Sequence, residues 1–296
     1  SLDFLDEFSN ELKKLKKVYE YPDLVYLIFW CRRKKIEKLK DDININENRL
    51  GRGLIFHICP SNIPTNFIYS FFFGLLSGNS NIIKMPSKSS NQKEIILKVL
   101  DILFKKKKFI QFKESNYFIE YDYLSESQFT NEISAICDVR LVWGSDETIN
   151  QIKRIWSPER SIDLMFSDRY SLSVINVDKI KKLKNNEMKM LANKFYYDSY
   201  AMNQQGCNSP HFLFWVGSKN IKTQNKFWDS LDEIIEKKYD FKEVQVIDKY
   251  TRLIENILER NDIKNIKTKK NNIYILEYND KKKVIENIRG INGIFY

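Results

Sequence analysis

Apolar positions in the first 45 residues recur at helical spacing. Leu12, Leu15, Val18 and Tyr19 form one set, and Val25, Ile28, Phe29 and Arg32 another, so helices are expected there. The period then changes. Gly51-Arg-Gly-Leu-Ile-Phe-His-Ile-Cys59 is an apolar run with glycines at its entry, which predicts a buried strand. Pro60-Ser-Asn-Ile-Pro64 reads as a turn. A helix follows through Leu76, stopped by Gly78-Asn79. The next expected elements are a strand at Asn81–Lys84, a capping loop at Pro86–Asn91, a helix over about 92–107 and a strand at Tyr117–Tyr121. Then come a helix over 125–136, a buried strand at Val139–Trp143, a helix opened by Gly144-Ser145 and a strand at Tyr170–Val177.

Alternating strands and helices with short connections imply a parallel sheet covered on both faces. Ligands of such sheets bind at the carboxyl ends of the strands, here the turns after residues 58, 84 and 143. The pattern restarts near 178. A helix over 181–197 leads to Asn203-Gln-Gln-Gly-Cys207, followed by a strand at His211–Val216. The helix over 221–238 carries Phe227, Trp228, Leu231, Ile234 and Ile235 on one face. A helix over 248–260 and a strand at Asn272–Leu276 close the pattern. The expectation is an α/β chain of two domains, 1–177 and 178–290.

Composition fits this picture: 296 residues, 43% hydrophobic and 30% charged, enough for two globular domains. No run of about 18 apolar residues is present to span a membrane. The N-terminus lacks the pattern of a signal peptide, so a cytoplasmic address is expected. The net charge of +10 admits an acidic partner such as nucleic acid. However, basic residues alternate with acids, as in Lys34-Lys-Ile-Glu-Lys-Leu-Lys-Asp-Asp42, which favours a solvated surface and no nucleic acid. Lys105 to Lys108 form the one compact basic run, at the end of a helical pattern. Cys31, Cys59, Cys137 and Cys207 make no CxxC pair, and His57 and His211 are isolated. Neither a metal site nor a Ser-His-Asp triad is expected. Three thiols read as buried and one as a candidate nucleophile.

That candidate is Cys207. Its neighbours are Gln, Gly, Asn and Ser, a polar turn rather than an apolar run, and the preceding glycine allows close approach of a substrate. A thiolate here would attack a thioester or aldehyde. Asn62, at a strand's carboxyl end, could donate to an oxyanion or simply hold a turn. Lys84 could reach cofactor hydroxyls or phosphates. Gly144-Ser145 suits a phosphate at a helix N-terminus or an ordinary serine cap, and Asp146 and Glu147 weigh against close phosphate contact.

Taken in order, these strings resemble the aldehyde dehydrogenase superfamily, and within it the fatty acyl-CoA reductases of the LuxC type. The matching strings are His57-Ile-Cys-Pro-Ser-Asn-Ile-Pro64, Gly74-Leu-Leu-Ser-Gly-Asn79, Ile83-Lys-Met-Pro-Ser87, Val142-Trp-Gly-Ser-Asp-Glu147, Asp168-Arg-Tyr-Ser171 and Gln204-Gln-Gly-Cys-Asn-Ser-Pro210. The resemblance implies a Rossmann-type cofactor domain and a second α/β catalytic domain. It implies that Cys207 is the catalytic thiol, with Asn62 and the Cys207 amide as oxyanion donors. Lys84 would meet the adenosine ribose and Gly144 and Ser145 the pyrophosphate, with Pro60, Ser61, Ser87 and Lys88 also on the cofactor. Two departures sharpen this. Phe166 aligns where hydrolytic members carry the glutamate that activates water, which fits a thioester reductase. Ser87-Lys88 replaces the acid of NAD-selective members, so NADPH is expected over NADH.

The expected reaction is reduction of a fatty acyl thioester, on CoA or a carrier protein, to the aldehyde through an acyl-cysteine. A phosphate-ester semialdehyde dehydrogenase and a noncatalytic scaffold subunit remain as alternatives. A homo-oligomer and a complex with an acyl-transferring protein are both compatible. The resemblance also implies that residues 291–296 begin a return segment to the cofactor domain.

Overall fold

The computed structural model describes residues 1–42, 50–122, 126–167, 171–202, 206, 208–239, 243–257, 263–270 and 272–278. The chain forms two compact units, Ser1–Asp168 and Arg169–Tyr296. In the first, helices α1 (Leu2–Lys13), α2 (Pro22–Trp30) and α3 (Arg33–Asp42) precede β1 (Leu54–Ile58). There follow α4 (Asn66–Leu76), β2 (Ser80–Lys84), α5 (Asn91–Phe104), α6 (Ile110–Glu114) and β3 (Asn116–Ile119). The unit ends with α7 (Ser127–Ile136), β4 (Val139–Gly144), α8 (Asp146–Lys153) and β5 (Ile162–Ser167).

All five strands are parallel, in the order β3-β2-β1-β4-β5. The chain builds outward from β1 to β3, then returns to the other side of β1 with β4. This reversal between β1 and β4 is a topological switch point, where open α/β sheets leave a crevice at the strands' carboxyl ends. The apolar run of β1 is explained by its central place: Ile55, Phe56, His57 and Ile58 are all buried, as expected for a strand covered on both faces.

On one face, α4 packs Phe67, Ile68, Phe71 and Phe72 against Phe4 and Phe8 of α1, Leu24 and Leu27 of α2 and Val99 and Leu103 of α5. Each such side chain contributes about 1.5–3 kcal/mol on burial. Edge-to-face pairs such as Phe8–Phe72, 5.0 Å between ring centres, add geometric preference. Helix α4 ends as the sequence predicts. Gly78 takes φ +77°, Asn79 N–H donates to Gly74 O and Gly78 N–H to Leu75 O, both at 3.1 Å, a Schellman stop. On the other face, Phe56, Ile58 and Val142 pack on Ile149 and Ile152 of α8.

Strand β5 is absent from the sequence expectation, because Asp163 breaks the apolar run of Ile162–Ser167. The Asp163 carboxylate accepts there from Arg140, a buried side chain of β4. The guanidinium donates twice to Asp163, from Nε and Nη2, both at 2.6 Å. Nη1 donates to the carbonyls of Ile152 (3.1 Å) and Ile155 (2.9 Å). The fork geometry of the buried arginine holds a half-buried carboxylate side chain by two parallel bonds, which lysine could not do.

The basic run near Lys105 is spent within the unit. Lys106 Nζ donates to Glu7 and Glu11 of α1, both at 2.9 Å, and Lys108 pairs with Glu7.

The second unit contains β6 (Ser171–Asn176), α9 (Val177–Ile180), α10 (Asn185–Ser199) and β7 (Pro210–Val216). It continues with α11 (Ile221–Lys238), α12 (Glu243–Ile257), β8 (Ile263–Lys269) and β9 (Ile273–Tyr278). Its core joins Met188, Ala192 and Tyr196 of α10 to Phe227, Leu231 and Ile235 of α11, so the predicted apolar face of α11 is the buried one. Strands β6 and β7 pair in parallel, and β8 and β9 antiparallel. Strand β6 has β7 as its ladder partner, and the compact units part between Asp168 and Arg169. Strand β8 was not foreseen, because its lysine-rich sequence lacks an apolar face. No helix among the described residues is long and apolar enough to cross a membrane.

Candidate functional site

The first unit gathers most of the predicted site residues along one edge of its sheet. At the end of β1, Cys59 N–H donates to Lys84 O at 3.3 Å, extending the ladder before Pro60, Ser61 and Asn62 turn the chain into α4. Asn62 is exposed, and its Oδ1 accepts from Ile63 N–H at 3.0 Å. This bond uses the carbonyl end of the amide, the end that an oxyanion does not need. Across the switch, Gly144 ends β4 and Ser145 caps α8. The Ser145 hydroxyl accepts from Thr148 N–H at 3.2 Å, the ordinary capping role.

Lys84 ends β2, the next strand outward. It is buried, with Nζ 5.0 Å from the centre of the Tyr121 ring. Desolvation lowers its pKa, against the opposing pull of Cys59, Asp122 and Glu120. Lys93 donates to Pro86 O at 2.9 Å and to Glu120 at 2.5 Å, which anchors the loop carrying Ser87 and Lys88. Both of these are exposed. Thus Pro60, Ser61 and Asn62 flank the switch on one side and Gly144 and Ser145 on the other, with Lys84, Ser87 and Lys88 further out.

Cys207 lies outside the described residues, as do Gln204, Gln205 and Asp168–Tyr170. On either side of Cys207, Gly206 and Ser209 are buried, and Ser209 N–H donates to Gly206 O at 2.8 Å. The other three cysteines are buried. Burial pushes the Cys59 thiol up to about 12 and that of Cys137 up to about 11. It holds Cys31 well above the ordinary thiol value. None of the three supplies a thiolate near neutral pH.

Behind this edge runs a buried polar chain that the sequence reading missed. Trp143 Nε1–H donates to Ser70 Oγ at 3.2 Å. Ser70 Oγ lies 2.8 Å from His57 Nδ1, and His57 Nε2 lies 2.9 Å from Asn81 Oδ1. Asn81 spends its amide hydrogens on Asn116 Oδ1 at 2.6 Å and Asn79 O at 2.9 Å. The Asn81 carbonyl therefore faces His57, so His57 carries its proton on Nε2 and accepts the Ser70 hydroxyl at Nδ1. Asn116 closes the chain by donating to Phe112 O at 2.6 Å. Close approach of α4 to the sheet requires Gly74, since a Cβ there would lie 2.0 Å from Asn81 Oδ1 and 3.1 Å from His57 Nε2. The available signal was a histidine and two asparagines inside strands that are otherwise apolar.

Burial holds His57 down at about 4 from its usual 6.5. The unfolded chain therefore binds this proton between those values and the folded chain refuses it. The stabilisation is complete above about pH 6.5 and is lost as pH falls toward 4, amounting to about 3 kcal/mol. Urea unfolding measured from pH 7 to 4.5 should show this fall, and the His57→Gln variant should show a shallower one.

At the outer end of the chain, Trp143 stacks on Phe166 of β5. The ring centres are 4.2 Å apart and the planes 14° from parallel, and the two residues are register partners.

A family model described as acyl-CoA reductase (LuxC) matches residues 32–264. No curated protein sequence matches the chain. Among solved structures, AldH of Staphylococcus aureus in a substrate-bound state is 12% identical with a TM-score of 0.53, covering 93% of this chain and 64% of that one. Glyceraldehyde-3-phosphate dehydrogenase GapN of Methanocaldococcus jannaschii, complexed with NADP, is 12% identical with a TM-score of 0.58, covering 93% and 65%. PnpE in complex with nicotinamide adenine dinucleotide is 14% identical with a TM-score of 0.55, covering 79% and 49%. At these identities the likeness establishes an aldehyde-dehydrogenase-like fold. The chain spans about half to two thirds of the length of these three structures.

Proposed function

The chain belongs to the acyl-CoA reductase (LuxC) family, and from that premise we propose that it reduces an acyl thioester to the aldehyde through an acyl-cysteine on Cys207, with NADPH as the reductant. The observation that carries this reading is the reversal of strand order between β1 and β4. It sets Asn62 on one side of the switch and Gly144-Ser145 on the other, the arrangement that suits a dinucleotide laid across the carboxyl ends of a parallel sheet. Buried, proton-bound thiols at Cys31, Cys59 and Cys137 further support Cys207 as the nucleophile.

The cofactor would be held by Lys84, Ser87, Lys88, Gly144 and Ser145, with Pro60 and Ser61 beside it. When bound, it supplies a hydride to the acyl carbon. The rest falls to the chain. The Cys207 thiolate attacks the thioester carbonyl, forming an S–C bond and an oxyanion. Amide hydrogens of Asn62 and the Cys207 backbone stabilise that charge. The carrier thiolate leaves and takes up a proton, giving acyl-Cys207. After reduction, the thiohemiacetal oxygen re-forms its carbonyl, the aldehyde departs and Cys207 leaves as thiolate. Phe166, in place of a carboxylate, supplies no base for water, so the acyl-enzyme survives until reduction. Serine and lysine at 87 and 88 tolerate a 2′-phosphate, which favours NADPH over NADH.

The test is a panel of acyl thioesters of different chain lengths on the full chain. Aldehyde should form in step with loss of NADPH absorbance. Without NADPH, the peptide containing Cys207 should gain the acyl mass. A marked preference for NADH would overturn the cofactor choice. Absence of acyl mass on Cys207 would overturn the mechanism.

A further inference from the structure

The polar chain behind the sheet edge has no role in the steps above, yet every member is buried or partly buried and directionally satisfied. Its outer end is the Trp143 indole, whose N–H is fixed by Ser70. One face of Phe166 lies on that indole, while Phe166 remains 44% exposed. A ring backed this way cannot rotate freely, and its remaining surface is open to solvent at the strand's carboxyl end. The two residues stand at the carboxyl ends of β4, which borders the switch with β1, and of β5, the edge strand beyond it. Trp143 reaches across that switch to α4, the helix that follows Asn62.

We propose that Phe166 is a stacking platform for one of the two planar bases of the nicotinamide dinucleotide, backed by Trp143, and that Ser70 and His57 are positioning residues which hold that indole in place. The inference rests on the nicotinamide reading above and extends it to residues outside the predicted set. A flat base on Phe166 continues the Trp143–Phe166 stack as a third layer. Aromatic stacking of a base is a strong and geometrically tolerant contribution to binding. The chain from Asn116 through His57 fixes the plane of the platform by hydrogen bonds to groups that cannot move, because each lies on a strand or on α4.

The experiment measures NADPH binding to the full chain by fluorescence, alongside acylation of Cys207 by a thioester without cofactor. Phe166→Ala should weaken NADPH binding about tenfold, and Phe166→Tyr should restore it. Trp143→Phe keeps a ring but loses the N–H, and Ser70→Ala loses its acceptor. Each should weaken binding about threefold, and Trp143→Phe should also remove most of the quenching caused by the cofactor. The melting temperature of Phe166→Ala should stay unchanged, which a purely structural role for Phe166 would not allow, whereas Ser70→Ala and Trp143→Phe, which strip partners from buried groups, should melt somewhat lower. Nicotinamide mononucleotide and adenosine 2′,5′-bisphosphate identify the base: the half that stacks loses affinity in Phe166→Ala, and the other does not. If Phe166→Ala fails to fold, Phe166→Leu serves in its place. Unchanged NADPH binding in the ring-less variant would overturn the platform, as would unchanged quenching in Trp143→Phe. Normal cofactor binding without acylation of Cys207 would instead sink the proposed reaction and leave the platform standing.

Discussion

Replacing Cys207 by alanine is expected to abolish both acyl-enzyme formation and aldehyde production. The reason is chemical: no other thiol in the chain can take over. Cys31, Cys59 and Cys137 are buried, and burial keeps each protonated at neutral pH, where a thiol is a poor nucleophile. Loss of a covalent nucleophile costs on the order of 10⁴-fold or more. Cys207→Ser tests the same point more gently, since a hydroxyl occupies nearly the same volume but stays protonated. The decisive readout is intact mass after incubation with a long-chain thioester and no NADPH. Wild type should gain one acyl group and Cys207→Ala none. An acyl adduct that persists in Cys207→Ala would sink the mechanism.

The second large effect is expected at Asn62. Removing a single oxyanion donor costs about 10²-fold or more in rate. Asn62 also has a local duty, because its Oδ1 accepts from Ile63 N–H at 3.0 Å. An alanine would remove both functions together. Asn62→Asp separates them: a carboxylate keeps an acceptor for Ile63 but cannot donate, and its charge opposes an oxyanion. It should retain the melting temperature and lose at least as much rate as Asn62→Ala. An Asn62→Asp variant with ordinary acylation kinetics would reduce Asn62 to a turn residue.

The fold was legible in the sequence wherever a local pattern carried it. The apolar run of β1, the glycine stop after α4 and the apolar face of α11 all follow from spacing. Polar departures from pattern were harder to read. Asp163 concealed β5, and the lysines of β8 concealed that strand. His57 read as an isolated histidine, and Lys105–Lys108 as a solvated helix end. For Asp163, His57 and Lys106 the missing information was a partner elsewhere in the chain: Arg140 for Asp163, Asn81 and Ser70 for His57, and Glu7 and Glu11 for Lys106.

The candidate site divides in the same way. The order of the motifs was enough to nominate Asn62, Lys84, Gly144, Ser145 and Cys207, because the chemistry of a turn after a strand is written in consecutive residues. The sequence by itself determined the family and the succession of strands and helices apart from β5 and β8, and it nominated Cys207 as the nucleophile. The tertiary structure alone decided that β5 joins the five-stranded sheet while β6 pairs with β7, and that the Ser145 hydroxyl caps a helix. It alone linked Trp143 to His57. The physical reason is range. Helix and strand periodicity is set by neighbours a few residues away. Strand pairing and the satisfaction of buried polar groups depend on residues far apart, such as His57 and Asn81, 24 positions apart, or Asn81 and Asn116, 35 apart. Such partners become visible only when the chain has closed around them.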